Sequence, residues 1–275
     1  MTATGFLHPG TMGATIAAAC NTESVWVSAG RSPATRARAA LAELSDAESI
    51  TELAARTDLI IAVCPPEAAE VVAAAVADVG FEGTYVDANA ISPNTSRRIG
   101  ERFESFVDGG IVGPPARTEG TTRLYLSGVD AQRVADRFGG SIVDARVIEG
   151  GPGAASALKM AYAAWTKGTT AMLFAISALA ESEGVAQPLR DEWAMSQPDL
   201  PERAARSPRV AAPKAWRWVA EMEEIAATFE AAGLPTGFHE ASSELYAALT
   251  PYKDRDDVTI DQVVATLLDT PGSGS

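Results

Sequence analysis

Lys159 is the residue whose type and surroundings are best suited to chemistry. Its neighbours from Ala154 to Ala164 are small or apolar. An amine that is partly removed from water has a lowered pKa and can give and take a proton beside a bound substrate. The alternative is a side chain that extends its amine from a helix into water, the common fate of a lone helical lysine. Spacing alone favours this alternative, so the choice depends on the rest of the chain.

The segment that carries Lys159 is predicted to form one long helix. Between Ala154 and Glu183 it contains no proline and only one glycine, Gly168. At about 1.5 Å per residue such a helix is roughly 45 Å long, more than the width of a small domain. Its second half is apolar on every side, which predicts burial all round. The uncharged run 168–180 is shorter than the roughly 20 residues that cross a bilayer, so we expect protein, a second subunit, to cover it.

The composition sets the number of domains and excludes some partners. The chain has 275 residues, 47% of them hydrophobic, which is enough for two modest domains with cores. We expect a first domain over residues 1–150, a helical second domain over 151–270 and a flexible tail over 271–275, which has linker composition. The net charge of −14 repels a phosphate backbone, so no nucleic-acid partner is expected.

The N-terminus and the cysteines bear on location and metal binding. No basic segment followed by a long apolar run opens the chain, so we expect a cytoplasmic protein without a signal peptide or a membrane partner. Cys20 and Cys64 are far apart and form no CxxC motif. With only two histidines in the chain, neither a metal site nor a disulfide framework is expected.

A glycine-rich turn near the N-terminus is the first candidate binding element. The apolar strand 4–7 runs into this turn, and a small-residue helix over 14–20 follows. Glycines let a backbone approach a pyrophosphate, and a helix N-terminus offers free N–H groups. The pattern is GxGxxG with its first glycine replaced by His8, and the alternative is an ordinary strand–helix turn. The candidate cofactor-binding residues here are His8, Pro9, Gly10, Thr11, Met12 and Gly13.

The end of the second predicted strand, 24–28, indicates which dinucleotide would bind. An NAD-specific site carries Asp or Glu at this place for the ribose 2′-hydroxyl. Here that place is occupied by Ser28, Gly30, Arg31 and Ser32, and there is no carboxylate among them. A guanidinium with two hydroxyls suits a 2′-phosphate, which favours NADP(H). The alternative for Arg31 is a solvated loop charge.

Further strands extend the pattern up to the long helix. The run 59–64 is continuously apolar, as in a buried parallel strand, and Pro65-Pro66 ends it. Strands are also predicted over 84–88, 106–112, 122–127 and 141–148. Alternating strands and helices predict an α/β Rossmann domain with a doubly wound, mostly parallel sheet, followed by the long interdomain helix and an all-α C-terminal domain.

Four motifs together resemble the β-hydroxyacid dehydrogenase superfamily, which includes 6-phosphogluconate dehydrogenase and the imine reductases. They are GFLHPGTMG at 5–13, VCPP at 63–66, DANAISP at 87–93 with DGGIVGPP at 108–115, and the segment 150–160 that ends in Lys159-Met160. Their order along about two thirds of the chain makes the match more specific than any one motif. The closest subgroup carries a distinct C-terminal helical domain of poorly defined activity.

The resemblance implies roles for individual residues. Lys159 would be the proton donor or acceptor. Val63, Cys64, Pro65, Pro66 and Asn89 would join the cofactor site near the nicotinamide ribose. On the substrate side the candidates are Ser92, Gly113, Pro114, Tyr162, Trp165 and His239. The chain departs from the family at Gly113-Pro114-Pro115, where Ser-Gly-Gly usually grips a substrate carboxylate, and at Ala163, where an asparagine is usual.

The second half of the chain predicts only helices, over 189–196, 200–206, 212–232, 237–249 and 260–268. Its aromatic and polar candidates for a substrate wall are Asp191, Trp193, Trp216, Trp218, His239 and Tyr246. Aromatic residues at helical spacing more often belong to a core, and His239 could equally be a structural donor.

Three functions remain open on the sequence. The first is an NADP(H)-dependent oxidoreductase that moves hydride between the nicotinamide and a carbonyl or hydroxyl carbon of a small substrate. The second is an NADPH-dependent imine reductase, which Lys159 argues against because these enzymes tend to place Asp or Tyr there. The third is a nucleotide-binding sensor without turnover, since fold alone proves no chemistry. In each case we expect a homodimer with intertwined helices.

Overall fold

The computed structural model describes residues 3–270 and divides the chain into two compact units, Met1–Met160 and Ala161–Ser275. The boundary between the units falls inside the longest helix, which spans Ala154–Ser182. The predicted tail 271–275 lies outside the described residues.

The first unit alternates strands with helices. Its strands are β1 Ala3–Leu7, β2 Ser24–Trp26, β3 Ser45–Asp46, β4 Thr57–Ala62, β5 Thr84–Asp87, β6 Ser105–Val112, β7 Thr122–Ser127 and β8 Val143–Val147. Its helices are α1 Thr11–Ala18, α2 Pro33–Leu41, α3 Ile50–Arg56, α4 Ala69–Ala77, α5 Pro93–Gly100 and α6 Ala131–Ala135. The strands form one sheet in the order β3-β2-β1-β4-β5-β6-β7-β8.

The sheet confirms the predicted doubly wound, mostly parallel architecture. All neighbouring strands run parallel except β6 and β7, which are antiparallel. The strand order reverses between β1 and β4, because the chain builds outward from β1 to β3 and then returns to the other side of β1. In open sheets of this kind such a reversal opens a crevice at the carboxyl ends of the strands.

Alternating side chains of the strands build a core on each face of the sheet. Phe6 and Ile61 face one core, which α1 and α6 cover. Leu7 and Ile60, their neighbours in sequence, face the other, which α3, α4 and α5 cover. Successive strand residues point to opposite faces, so a central strand with helices on both sides must be apolar throughout.

The predicted strands of this unit are found, with some shorter ends. β2 ends at Trp26 and β4 ends at Ala62, so residues 27–28 and 63–64 belong to the loops at the crevice. The sequence patterns missed β3, α3 and α6. β3 has only two residues and no apolar run, and its parallel pairing with β2 defines it.

The second unit is helical, as predicted. After α7 (Ala154–Ser182) come α8 Ala186–Ser196, α9 Leu200–Ala211, α10 Ala215–Ala231, α11 Gly237–Ala248 and α12 Ile260–Asp269. α7 confirms the predicted long helix. Its residue Lys167 pairs with Glu221 of α10 at 2.7 Å, and the Lys167 carbonyl accepts a 2.7 Å hydrogen bond from the hydroxyl of Tyr246 of α11.

The second half of α7 departs from the prediction of burial on every side. Leu173 and Phe174 are buried, but Met172 is 43% exposed and Leu179 is 61% exposed in the single chain. The short helices of the second unit cover one side of α7 and leave this other side to solvent. Within residues 3–270, no helix is both long enough and apolar enough to span a bilayer.

Candidate active site

The glycine turn joins β1 to α1 at the strand-order reversal. Gly10 precedes the first residue of α1 in an extended conformation, and no side chain of the described residues caps the helix there. The N–H groups of the first turn of α1 are therefore open to an acceptor. A Cβ on Gly13 would lie 2.7 Å from the carbonyl oxygen of His8, so the turn is tight enough to require glycine. This geometry is the one that a pyrophosphate needs.

His8 fills the place of the first glycine of the motif. Its Nδ1 is buried and has no hydrogen-bond partner within residues 3–270. Burial and the positive charge of Arg31 lower the pKa of His8 to about 4. The imidazole is therefore neutral near pH 7, so it can offer a bound anion a hydrogen bond but no charge.

The loop after β2 carries the residues predicted to select the cofactor. Gly30 has a φ of 68°, a left-handed conformation that favours glycine. Ser32 caps α2 by accepting a 3.2 Å hydrogen bond from the N–H of Thr35. Arg31 follows Gly30 and donates through Nε to the carbonyl of Ala29 at 3.3 Å, so its terminal nitrogens remain able to meet a ligand.

Asp46 is a neighbour of this loop that the sequence analysis missed. β3 brings its carboxylate beside the end of β2, where Oδ1 accepts hydrogen bonds from the N–H of Ser28 at 3.1 Å and of Glu48 at 2.9 Å. Burial raises the pKa of Asp46, but hydrogen bonds to Ser28 and Glu48 and the charge of Arg36 outweigh it and lower the pKa. The carboxylate of Asp46 thus holds the backbone of the loop after β2, although no Asp or Glu stands at the end of β2 itself.

The loops after β4 and β5 are tied together by Asn89. Its Oδ1 accepts from the N–H of Cys64 at 2.6 Å, and its Nδ2 donates to Asp87 at 2.9 Å. Burial first, and then the charges of Asp87 and Glu67, raise the pKa of the Cys64 thiol to about 12. The Cys64 thiol therefore stays protonated near pH 7. Asn89, predicted to join the cofactor site, has a clear structural role in holding the loop 63–66.

Three of the residues predicted on the substrate side stabilise local structure. Ser92 is buried and caps α5 by accepting from the N–H of Thr95 at 3.2 Å. Gly113 has a φ of 118°, which requires glycine. The carbonyl of Pro114 accepts from the hydroxyl of Thr122 at 2.7 Å, which fixes the loop after β6 against β7. Proline has no N–H, so this loop lacks one donor that a substrate carboxylate would use.

The start of α7 is held to β6 by a buried carboxylate. Asp108 accepts from the hydroxyls of Ser96 at 2.7 Å and Ser156 at 2.5 Å, and from the N–H of Ser156 at 2.9 Å. Ser127 donates to the same carboxylate at 3.3 Å and accepts from the N–H of Ala155 at 3.1 Å. A negative charge at a helix N-terminus is favourable, and here it also fixes the position of the helix.

Lys159 lies one turn further along α7, above a glycine of β6. A Cβ on Gly110 would lie 2.7 Å from the carbonyl oxygen of Ala155 and 3.0 Å from the Cβ of Lys159. The helix therefore rests directly on the strand at this point. Lys159 is partly buried and interacts with other described residues. Asp108 and Gly110 together fix where its side chain begins.

The remaining candidates belong to the second unit. Tyr162 and Trp165 are exposed on α7. His239 is buried with its ring 4.2 Å from that of Phe229, and burial lowers its pKa. Tyr246 is fully buried and makes an edge contact with Trp218 at 5.1 Å, so it belongs to the core. Within residues 3–270, no group of three or more His, Cys, Asp or Glu side chains could hold a metal ion.

Residues 180–249 match the family described as a domain of unknown function, DUF1932. A curated relative, the uncharacterized 28.5 kDa protein in the 7S RNA 5′ region of Methanothermus fervidus, is 31% identical over 138 residues. The match covers 49% of this chain and 52% of that protein, so it spans about half the length of each.

Solved structures resemble nearly the whole chain. A conserved protein of unknown function, described as similar to 3-hydroxyacid dehydrogenases, is 26% identical over 91% of this chain and 97% of its own, with a TM-score of 0.69. The 3-hydroxyisobutyrate dehydrogenase of Mycobacterium tuberculosis is 19% identical over 97% and 99%, with a TM-score of 0.70. A reductive aminase from Aspergillus terreus, solved with NADPH and ethyl levulinate, is 16% identical over 97% and 99%, with a TM-score of 0.56.

These findings confirm the resemblance that the four motifs indicated. The chain has the fold of the hydroxyacid dehydrogenases and imine reductases, a Rossmann unit followed by a helical C-terminal region, and it carries the DUF1932 match in that region.

Proposed function

We propose that the chain is an NADP(H)-dependent oxidoreductase acting on a carbonyl or hydroxyl carbon of a small substrate. The observation that carries this is the place of the turn between Gly10 and Gly13. It lies at the carboxyl end of β1, where the strand order reverses between β1 and β4. Dinucleotides bind at this point of doubly wound sheets. The likeness in fold to a reductive aminase solved with NADPH and to an imine reductase solved with NAD+ supports the same conclusion.

The residues around the turn fit such a cofactor. The open N–H groups at the start of α1 suit the pyrophosphate, and Gly13 leaves room for its approach. Arg31 and Ser32 would take a 2′-phosphate through charge-assisted hydrogen bonds. The loop 63–66, which Asn89 holds in place, would border the nicotinamide ribose. When bound, the cofactor gives or accepts the hydride.

Lys159 is the proton donor and acceptor of the proposed reaction. In the reductive direction its ammonium gives a proton to the oxygen of the substrate carbonyl, and in the oxidative direction its amine takes the proton of the hydroxyl. Asp108 and Gly110 set the position of Lys159 by anchoring α7 on β6. Catalysis of this kind depends on a donor held in one place, because small displacements of a reacting group are costly in rate.

The proposal is tested by replacing Lys159 with Met and measuring binding and turnover separately. Loss of general acid–base catalysis lowers turnover by about 10²- to 10⁴-fold. NADPH binding, followed by fluorescence titration, should stay within a few-fold of the wild type, since the turn residues are intact. Turnover by Lys159→Met at the wild-type rate would refute the assigned role of the lysine.

An imine reductase is the second candidate, and the loop after β6 favours it. Gly113-Pro114-Pro115 replaces the usual Ser-Gly-Gly, and Pro114 has no N–H for a substrate carboxylate. Incubation with NADPH and either cyclic imines or small keto and aldehyde acids separates the candidates by loss of NADPH absorbance. Tight NADPH binding with no turnover on either panel would instead favour a nucleotide sensor.

A further inference from the structure

The helical unit contains a cavity that no part of the proposed reaction uses. It has a volume of about 280 Å³, lies among α7, α9 and α10, and is open to solvent on the side where Arg206 and Val210 are exposed. Its walls are formed by Thr170, Arg203, Arg206, Ser207, Val210, Ala211 and Trp218. Ligand cavities in proteins run from about 300 to 1,000 Å³, and this one lies just below that range, so it has room for a small molecule only and is too small for a dinucleotide.

Two guanidinium groups line this cavity without a carboxylate partner. Arg203 donates to the hydroxyl of Thr169, and Arg206 makes no side-chain hydrogen bond or ion pair within residues 3–270. A guanidinium has five N–H donors, so most of the donors of both side chains are unused. Two like charges that share a cavity favour the binding of an anion between them.

The two hydroxyl groups of the cavity do not donate to a ligand. The hydroxyl of Thr170 donates to the carbonyl of Thr166 at 2.9 Å, and the hydroxyl of Ser207 donates to the carbonyl of Arg203 at 2.6 Å. Both protons are thus used within their own helices. Of the charged and hydroxyl side chains of the cavity, the arginines are the ones that keep unused donors for a ligand.

The surroundings add to the positive charge. Between Glu202 and Trp218 the sequence holds one acidic and five basic residues, although the whole chain has a net charge of −14. Burial first, and then the charges of Arg217 and Lys167, lower the pKa of Lys214. Lys167, on α7, pairs with the carboxylate of Glu221 at 2.7 Å, whereas none of the five basic residues of the segment forms an ion pair within residues 3–270. The segment from Glu202 to Trp218 is therefore positively charged, although the protein as a whole is acidic.

Part of the lining of the cavity is apolar, and its tryptophan is held in place by neighbouring side chains. Val210, Ala211 and the ring of Trp218 form this part. The Nζ of Lys167 lies 5.3 Å from the centroid of the Trp218 ring, and the Tyr246 ring meets it edge-on at 5.1 Å. A ligand in the cavity therefore meets both guanidinium groups and an apolar surface.

We propose that this cavity binds a small organic acid, with its carboxylate between Arg203 and Arg206 and a short apolar body against Trp218. The planar fork of a guanidinium matches a carboxylate in a bidentate pair. The apolar wall selects a ligand with a carbon body over an inorganic oxyanion. The inference goes beyond the proposed oxidoreductase activity and does not depend on it.

The test is isothermal titration of the full chain, without nucleotide, with butyrate, butyramide and inorganic phosphate. Butyrate should bind saturably, while butyramide, which has the same shape without the charge, should bind at least tenfold more weakly. Phosphate should also bind more weakly than butyrate. Butyramide or phosphate binding as tightly as butyrate, or no butyrate binding at all, would overturn the proposal.

Variants of α9 assign the binding to the cavity. Arg203→Gln and Arg206→Gln should each weaken butyrate binding at least tenfold. Arg209→Gln removes the same charge from the same helix but does not line the cavity, so it should leave the affinity unchanged. Arg206 makes no side-chain hydrogen bond or ion pair within residues 3–270 that its replacement would break. Arg206→Gln therefore remains informative even if Arg203→Gln fails to fold. An equal effect of all three substitutions would show that the overall positive charge of α9 attracts butyrate, and it would refute the proposed site.

Discussion

Arg31 is the residue on which the choice between the two nicotinamide cofactors depends. The loop after β2 presents its guanidinium, and the carboxylate of Asp46 beside this loop is occupied by the backbone of Ser28 and Glu48. We expect wild-type protein to bind NADPH more tightly than NADH. A hydrogen bond to a charged group contributes about 1.5–3 kcal/mol, so Arg31→Ala should weaken NADPH binding by about 10- to 100-fold and leave NADH nearly unchanged.

Fluorescence titration with both nucleotides measures this difference. Arg102→Ala removes an exposed arginine that follows α5 and serves as the control, with no expected effect on either affinity. Equal affinities of the wild type for NADPH and NADH would contradict the 2′-phosphate assignment.

The two histidines make a prediction about pH. The pKa of His8 is lowered to about 4, and that of His239 is lowered by burial. In the unfolded chain both titrate near 6.5, so below that pH the unfolded state takes up protons that the folded state refuses. The free energy of unfolding should therefore fall as the pH decreases from about 6.5 towards the folded pKa of His8, about 4.

Urea unfolding at pH 7.0 and at pH 5.0 checks this prediction. The two pH values lie above and below the ordinary pKa of histidine, and both lie above the ordinary pKa of most carboxyl groups. His8→Asn and His239→Gln should each reduce the difference in unfolding free energy between the two conditions, and the double variant should nearly abolish it, because the chain has only these two histidines. An unchanged difference in the double variant would show that other groups produce it.

At the scale of elements, the contact between β6 and α7 places the lysine. At Gly110 the helix leaves no room for a side chain, since a Cβ there would lie 2.7 Å from the backbone oxygen of Ala155. Gly110→Ala should therefore push α7 away from the strand. Overpacking costs about 1–3 kcal/mol, and a displaced Lys159 should lower turnover more than it lowers NADPH affinity.

Gly168→Ala, within α7 itself, is the matched control for Gly110→Ala in β6. A Cβ at Gly168 meets no atom within 4 Å, and alanine is preferred over glycine in a helix by about 0.5–1 kcal/mol. This substitution should raise the melting temperature, while Gly110→Ala should lower it. A Gly110→Ala protein with wild-type stability and turnover would show that the close contact is not needed.

The sequence predicted those elements whose signals are local. The continuous apolar run before Pro65, the glycine turn and the proline-free segment of α7 each describe one element, and all three are found. Links between distant residues gave no such signal. Asp108 and Ser156 meet across 48 positions, and Asp46 reaches Ser28 only through the pairing of β3 with β2. These contacts depend on tertiary packing, which no local pattern encodes.

The residues of the candidate site fall into the same two groups, those with a local sequence signal and those whose role depends on distant contacts. The turn 8–13 could be predicted because its glycines serve the backbone locally. The structural roles of Asn89 and Ser92 could not be, because a polar residue after a strand can equally hold a loop or meet a ligand. The division into domains at residue 150 and the ligand contacts of the site residues stay predictions.

At the scale of the whole molecule, α7 carries an exposed apolar stripe formed by Tyr162, Trp165, Met172 and Leu179. Their spacing of 3, 7 and 7 residues places all four on one side of the helix. Soluble monomers rarely expose a continuous apolar surface of this kind. The stripe therefore supports the expectation of a homodimer.

Light scattering should accordingly give twice the chain mass of 28.6 kDa or more. The best variants to test the contact are Met172→Glu and Leu179→Glu, because these side chains are exposed in the single chain. Leu173 and Phe174 are buried within it, so glutamate there would unfold the chain whether or not a dimer forms. Burying an apolar side chain of this size contributes about 1.5–3 kcal/mol, so the double variant should dissociate at micromolar concentration.

Val71→Glu is the control for this experiment. Val71 is an exposed apolar residue on α4 of the first unit, so its replacement adds the same charge at a place outside the stripe and should leave the mass unchanged. Circular dichroism of each variant separates dissociation from unfolding. A wild-type chain that is folded and monomeric at micromolar concentration would contradict the dimer, because the stripe would then be stable in water without a partner.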